Sequence, residues 1–118
     1  MKALLIILFC VSNSFFTPEK SLNLSGKVIG IKDGDTIEVL VNNAPIIVRL
    51  SHIDCPEMRS GQPFAQKAKN KTSELCFGQQ VTIEAEAKKD RYKRTLGVVI
   101  NEKGQNVNIE LVKAGLAW

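Results

Sequence analysis

The stretch that decides the fold is Arg49-Leu50-Ser51-His52-Ile53-Asp54-Cys55-Pro56-Glu57. Residues 47–52 alternate in the way that side chains of a β-strand alternate between two faces. Because Pro56 cannot donate to a sheet, we expect the strand to end at residues 53–54. His52, the only histidine of the chain, is then expected to be a strand residue.

This stretch presents Arg49 from a rigid strand, and Asp54 and Glu57 from the loop that follows. An arginine beside two carboxylates indicates phosphate chemistry. Guanidinium matches phosphate geometry, and carboxylates hold a hard cation or take a proton. Taken alone, however, the stretch is better explained by one strand charge and two loop carboxylates without a function.

Composition sets the class of protein. The chain has 118 residues, the length of one domain, and its hydrophobic content of 44% supports a modest core. The formal net charge is +4 and the isoelectric point is about 9.1. This basic balance suits a polyanionic partner such as nucleic acid, although charge alone does not establish one.

The first 14 residues have the pattern of a secretory signal peptide. Lys2 begins it, residues 3–11 form an unbroken apolar run, and residues 12–14 are small at both outer positions, as signal peptidase prefers. The run is too short to span a bilayer as a helix. We therefore expect a secreted or periplasmic monomer, without stable membrane association after signal removal. An uncleaved N-terminal anchor is the alternative.

Periodicity divides the remainder into a loose arm over residues 15–25 and one domain over residues 26–118. A helical apolar stripe, with Pro63 in its first turn and Gly78 after its end, predicts a helix between the third and fourth strands. Asn108 is expected to N-cap a short last helix. This order predicts an α+β fold, a closed antiparallel OB-fold barrel with five strands. The predicted strands are Lys27–Ile31, Thr36–Val41, Ala44–Ser51, Gln80–Ala87 and Thr95–Asn101.

Asp35 and Asp54 form the first candidate site. The pair Asp33-Gly34 is explained by a hairpin turn. Asp35 differs, because Asp is depleted in strands and a carboxylate at a strand start suggests binding. If the second and third strands are neighbours, Asp35 and Asp54 converge, and their oxygens would suit Ca²⁺. The spacing does not fit an EF-hand.

Residues 88–94 form the second candidate site. Five of these seven residues are basic and one is Tyr92. Such a loop can follow a phosphate backbone and stack on a base. The alternative is a solvated turn between two strands, in which Arg94 is held more rigidly because it opens a strand.

Cys55 and Cys76 are the cysteines that remain once the signal is removed. An oxidising destination would permit a disulfide between them, provided that their geometry allows it. Neither belongs to a CxxC or Cys/His array, so we expect no zinc site.

Together these segments resemble the staphylococcal nuclease (thermonuclease) family over residues 26–118. Residues 107–117 look like the family's second helix. The resemblance implies an OB-fold phosphodiesterase that depends on Ca²⁺, cuts DNA and RNA, and leaves 3′-phosphates. Three motifs in the family's order carry it, namely Asp33–Thr36, Arg49-Leu50 leading to Ile53–Glu57, and Asp90–Gly97.

The resemblance also implies a metal site. Asp35 and Asp54 match the family's two metal-binding carboxylates. Cys55 matches a position that supplies a backbone carbonyl to the metal, where the family usually has Thr. Because the backbone is the ligand there, this replacement is expected to matter little.

The resemblance implies roles for the other charged residues as well. Glu57 matches the carboxylate that positions or deprotonates the attacking water. Arg49 and Arg94 match the pair that holds the phosphate. Arg91 and Tyr92 match positions that bind a neighbouring phosphate.

One departure from the family concerns the C-terminal side. The family continues past its second helix into a third helix that packs on the barrel, whereas this sequence stops at Trp118. We therefore expect that helix to be absent, or another body to complete the domain. Two alternatives to an active nuclease stay open: a non-catalytic nucleic-acid-binding OB-fold module, and an inactive truncated nuclease.

Overall fold

The structure, a computed structural model, describes residues 22–118. The predicted signal segment and most of the predicted arm lie outside these residues. No helix within residues 22–118 has the length and apolar character needed to cross a membrane. The elements in chain order are β1 (Leu22–Asp33), β2 (Thr36–Val41), β3 (Ala44–Leu50), α1 (Ala65–Cys76), β4 (Gln80–Ala85), β5 (Thr95–Ile100) and α2 (Val107–Lys113).

The five strands form a closed barrel in the order β1-β2-β3-β5-β4, which confirms the predicted OB-fold. β1 is long enough to pair with β4 through its first half and with β2 through its second half. The two halves meet at Lys27, and at the neighbouring Gly26 an added Cβ would collide with the Leu40 carbonyl. A glycine is therefore needed where β1 bends between its two partners.

The barrel closes through a short parallel pair, β3 with β5, and not through an antiparallel one as predicted. Asn108 reinforces this junction from α2. Its amide donates to the carbonyls of Ser51 and Gly97 at 3.0 and 3.2 Å, and its Oδ1 accepts from Val99 N at 3.2 Å. The predicted N-cap role of Asn108 is wrong, because Asn106 caps α2 by accepting from the backbone N–H of Ile109.

Alternating side chains of the strands fill the barrel. Along β4, every second residue is buried, as a strand with one face on the core requires. α1 packs against the end of the barrel where the β1–β2 turn lies. There, a Cβ on Gly34 would lie 2.8 Å from Cβ of Ala68, and Thr72 Oγ1 donates to the Gly34 carbonyl. The helix therefore fixes the turn that carries Asp35.

Several predicted boundaries are wrong, among them that of β4, which ends at Ala85 and not at Ala87. Leu22–Ser25, expected in the arm, belongs to β1 and pairs with β4. β3 ends at Leu50, and His52 lies in a turn with φ 63°. Helix α1 begins at Ala65 and does not include Pro63, because Phe64 adopts the left-handed φ of 65° and Pro63 lies in the turn before it.

Candidate active site

Arg49 is the centre of the candidate site. Its Nη1 donates to the carbonyls of Leu50 and Ile53 at 2.8 and 2.9 Å. Its Nη2 lies 3.2 Å from Oδ2 of Asp35 and 3.2 Å from Oδ1 of Asp54. Both ends of the guanidinium are thus held by the barrel and by the loop that leaves β3.

Asp35 is buried in the turn between β1 and β2. Besides Arg49, its carboxylate accepts from Thr36 Oγ1 at 3.0 Å and from the backbone N–H of Cys55 at 2.9 Å. These bonds satisfy a carboxylate that would otherwise be costly to bury. They also tie the β1–β2 turn to the loop that follows β3, as convergence of Asp35 and Asp54 requires.

Asp54 is more exposed, at 56% of its side chain, and its backbone exchanges two hydrogen bonds with Trp118. Asp35 and Asp54 converge on one point, Nη2 of Arg49, and oxygen donors of this kind suit a hard divalent cation. Within residues 22–118, no cluster of three or more His, Cys, Asp or Glu side chains with metal-binding geometry is found. The side-chain ligands available here are therefore two carboxylates.

The thiol of Cys55 is not a candidate ligand. Burial, and then the negative charge of Asp35, raise its pKa to about 12, against a smaller opposing effect of Arg49. Burial likewise raises the pKa of the Cys76 thiol to about 12. Both cysteines are free, so the disulfide that the sequence permitted is not formed in this structure.

Glu57 lies in the exposed loop after Pro56. Its Oε2 accepts from Ser60 Oγ at 2.9 Å, and its backbone N–H donates to the side chain of Gln62 at 2.9 Å. Asp33 holds the same loop by accepting from the backbone N–H of Met58 at 3.0 Å. In the part of the chain that the structure describes, no hydrogen bond or ion pair joins Glu57 to either arginine of the predicted site.

Arg94 is held by the loop before β5. Its Nε donates to Oδ2 of Asp90 at 2.7 Å. Burial raises the pKa of Asp90, but hydrogen bonds from Arg94 and Tyr92 and the charge of Arg94 outweigh this effect, so the net shift is downward. The ring of the exposed Tyr92 lies 4.8 Å from the guanidinium carbon of Arg91 and 5.3 Å from that of Arg94.

Arg49 and Arg94 line one open cleft of about 410 Å³, whose wall also contains His52, Glu86 and Asp90. Two guanidinium groups facing one space can both donate to the oxygens of a phosphate. The structure therefore brings together the two predicted phosphate-holding residues beside the two predicted metal carboxylates. Glu57 does not line this cleft, and Arg91 and Tyr92 lie on the loop at its edge.

Known proteins identify the family. The profile described as staphylococcal nuclease homologue matches residues 47–118, which is more than half of the chain. The chain belongs to the staphylococcal nuclease family. The family indicated by the sequence motifs is thereby confirmed.

Curated relatives agree with this membership. A micrococcal nuclease from Shigella flexneri is 46% identical over 101 residues, covering 79% of this chain and 56% of the relative. An uncharacterized endonuclease from Haemophilus influenzae is 47% identical over 93 residues, covering 78% of this chain and 50% of the relative. A thermonuclease from Staphylococcus hyicus is 36% identical over 111 residues, covering 85% and 65% respectively. This member of the staphylococcal nuclease family thus spans about half the length of the first two.

Sequence reasoning missed three residues that organise this site. The family motif contains Asp90 but gives it no role. A signal exists, because an Asp side chain in a turn often accepts a hydrogen bond from the backbone N–H two residues later. Asp33 was assigned to a hairpin turn only. Asn108 has no local signal for its contacts, because Ser51 lies directly after β3 and its other two partners lie on β5, 9 to 57 residues away in sequence.

Proposed function

We propose that this chain is a secreted or periplasmic endonuclease that depends on Ca²⁺, hydrolyses phosphodiester bonds of DNA and RNA, and leaves 3′-phosphates. The single observation that supports this most directly is the shared cleft of Arg49 and Arg94 beside the convergent carboxylates of Asp35 and Asp54. Relatives named micrococcal nuclease and thermonuclease support the reaction class.

The proposed cation site consists of Asp35 and Asp54, with the backbone carbonyl of Cys55 as a further ligand. The chemistry that a divalent cation would supply there is polarisation of a phosphate oxygen and neutralisation of charge. Nη2 of Arg49 lies 3.2 Å from one oxygen of each carboxylate, which supports a role for Arg49 beside the proposed cation site.

The remaining steps are proposed for the chain's own residues. Glu57 takes a proton from a water molecule, whose oxygen forms a bond to phosphorus in line with the 5′-oxygen. Arg49 and Arg94 donate hydrogen bonds to the phosphate oxygens, whose charge grows in the transition state. The bond from phosphorus to the 5′-oxygen breaks, and that oxygen takes up a proton from solvent. Arg91 and Tyr92 bind a neighbouring phosphate.

The proposal is tested with a plasmid-nicking assay on the full chain, in Ca²⁺ and in excess chelator. We expect nicking in Ca²⁺ only, and products that carry a 3′-phosphate, which phosphatase treatment and labelling of the ends would detect. The matched variant Glu57→Gln, which keeps the size of the side chain, is expected to bind the plasmid but to nick it far more slowly.

Other outcomes would favour the alternatives. Plasmid binding without nicking, in parent and variant alike, would favour a non-catalytic binding module. The exposed position of Glu57 outside the cleft is the observation that makes this alternative worth testing. A circular dichroism spectrum without a cooperative thermal transition would favour an inactive, poorly folded domain.

A further inference from the structure

Asp90 is bound on both carboxylate oxygens by the residues that follow it. Besides the bond from Arg94 Nε to Oδ2, Oδ1 accepts from the backbone N–H of Arg94 at 2.8 Å and of Tyr92 at 3.0 Å. One bond therefore holds the head of the Arg94 side chain, and another holds the backbone from which that side chain starts.

The backbone of the same loop is closed by two further bonds. The N–H of Asp90 donates to the Arg94 carbonyl at 3.1 Å, and the N–H of Lys93 donates to the Asp90 carbonyl at 3.0 Å. Lys93 adopts φ 61°, a conformation that non-glycine residues adopt only when their surroundings impose it. The loop is thus held in one shape, and Asp90 lies at its centre.

Arg94 is bound in a way that leaves its outer nitrogens available. Within residues 22–118, its side chain is hydrogen-bonded through Nε alone, and 30% of it is exposed. Since a guanidinium is planar, a bond at Nε fixes the plane in which the terminal nitrogens point. Those nitrogens are the ones that can form a forked pair with a phosphate.

The position of Asp90 is unfavourable for simple anion binding. Its carboxylate lies in the wall of the cleft that Arg49 and Arg94 line, where it repels an incoming phosphate. Its charge is therefore unfavourable for binding an anion, whereas its bond to Nε is the contact through which it can act on Arg94.

We propose that Asp90 is a positioning residue, which orients Arg94 toward the reacting phosphate at some cost in substrate affinity. This inference rests on the proposed nuclease function. The proposal predicts a slower cleavage rate without a loss of substrate affinity when Asp90 is removed. A merely structural role would lower both, because loss of the loop would also misplace Arg91 and Tyr92 and so weaken binding.

The test is a double-mutant cycle on the full chain, with the variants Asp90→Ala, Arg94→Ala and both together. Single-turnover cleavage of a short oligonucleotide in Ca²⁺ is measured beside its binding affinity. We expect Asp90→Ala to slow cleavage by up to about 100-fold, the effect of a misplaced catalytic group, while affinity stays equal or rises. In the Arg94→Ala background, the loss of rate is expected to disappear.

Glu86→Gln is the matched control for charge. Glu86 lies in the same cleft wall, but its carboxylate pairs with His52 at 3.6 Å and not with Arg94. Any change it causes through its charge alone is expected to persist in the Arg94→Ala background. If Asp90→Ala behaved like Glu86→Gln in this respect, or weakened binding as much as it slowed cleavage, the proposal would be overturned.

A second readout does not need cleavage. In ¹⁵N spectra, the Nε–H resonance of Arg94 is expected to shift and to exchange faster with water in Asp90→Ala. An unchanged resonance would overturn the proposed pairing whatever the activity. A parent chain that bound DNA without cutting it would overturn the proposed function, and this inference with it, even if the resonance shifted.

Discussion

The two arginines of the cleft are held in different ways. Arg49 lies at the end of a barrel strand. Two carbonyls and Asp54, its partners on the chain that directly follows, are joined by Asp35, which the β1–β2 turn brings to it. Arg94 depends on one carboxylate only four residues before it. Arg49 therefore joins its own loop to a distant turn through Asp35, whereas the contacts of Arg94 are all local.

Because of this difference, we expect the part of the site around Arg49 to be coupled to folding more strongly than the part around Arg94. The bonds of Arg49 join the β1–β2 turn to the loop after β3, so breaking them disturbs the barrel. The bonds of Arg94 lie within one loop, whose other residues face solvent. We therefore expect changes at Arg49 to affect stability and activity together, and changes at Arg94 to affect mainly activity.

The largest expected effect distinguishes Arg49→Ala from Arg94→Ala. Arg49→Ala removes the guanidinium donor of two carbonyls and the positive charge that pairs with the buried Asp35, so we expect a loss of about 1–3 kcal/mol of unfolding free energy. Arg94→Ala breaks a partly exposed pair, which is worth at most about 1 kcal/mol. Urea denaturation measures both, and equal losses would contradict the comparison.

The next effect concerns Asp35 and Asp54, the two carboxylates that pair with Arg49. Asp35→Asn and Asp54→Asn are each expected to weaken Ca²⁺ binding by at least about tenfold, because ligand charge sets affinity at oxygen sites. Only Asp35→Asn is expected to lower stability as well, since Asp35 is buried and Asp54 is half exposed. Calorimetric titration and thermal melts check this. Unchanged Ca²⁺ affinity in both variants would remove the proposed site.

A smaller effect appears in the dependence of stability on pH. The pKa of Asp90 is lowered from its usual 3.8, so its interaction with Arg94 is fully present above that value. It is lost as pH falls through the lowered folded-state pKa. The stability difference between the parent and Asp90→Asn is therefore expected to be constant from pH 7 to about 5 and to shrink below about 4. A difference that grew with acid would contradict this assignment.

The smallest effect concerns thiol reactivity. Because burial raises the pKa of the Cys55 and Cys76 thiols to about 12, both stay protonated and are expected to react slowly with iodoacetamide at pH 8. In urea, both are expected to react fully, which mass spectrometry would detect as one added group on each of the peptides that contain Cys55 and Cys76. A disulfide in the unreduced protein would contradict the free thiols of the structure.

Much of the fold follows from local pattern in the sequence. Alternation along β4 and the Asn42-Asn43 turn, whose residues have φ of 51° and 62°, are local signals, and they place strands within two residues. The parallel pairing of β3 with β5 has no local signal, because it depends on contacts across the barrel. His52 was misassigned because alternation continues past Leu50 while the backbone turns.

The candidate site was likewise only partly predictable from the sequence. Motif similarity supplied Arg49, Asp35, Asp54 and Arg94, and the structure brings these four together. It does not place Glu57 against them, since the side chain of Glu57 is hydrogen-bonded to Ser60. Sequence pattern identifies which residue types are present, whereas the orientation of an exposed loop side chain depends on its partners.

We propose that both arginines act on one phosphate while Glu57 acts on water. The most direct measurement is the single-turnover rate of oligonucleotide cleavage for Arg49→Lys, Arg94→Lys and Glu57→Gln, beside binding titrations and thermal melts of each variant. Lysine keeps the charge but loses the fork, so we expect both arginine variants to cleave more slowly by on the order of 10²–10³. Glu57→Gln is expected to slow cleavage with nearly unchanged affinity. Parental cleavage rates in all three folded variants would contradict the account.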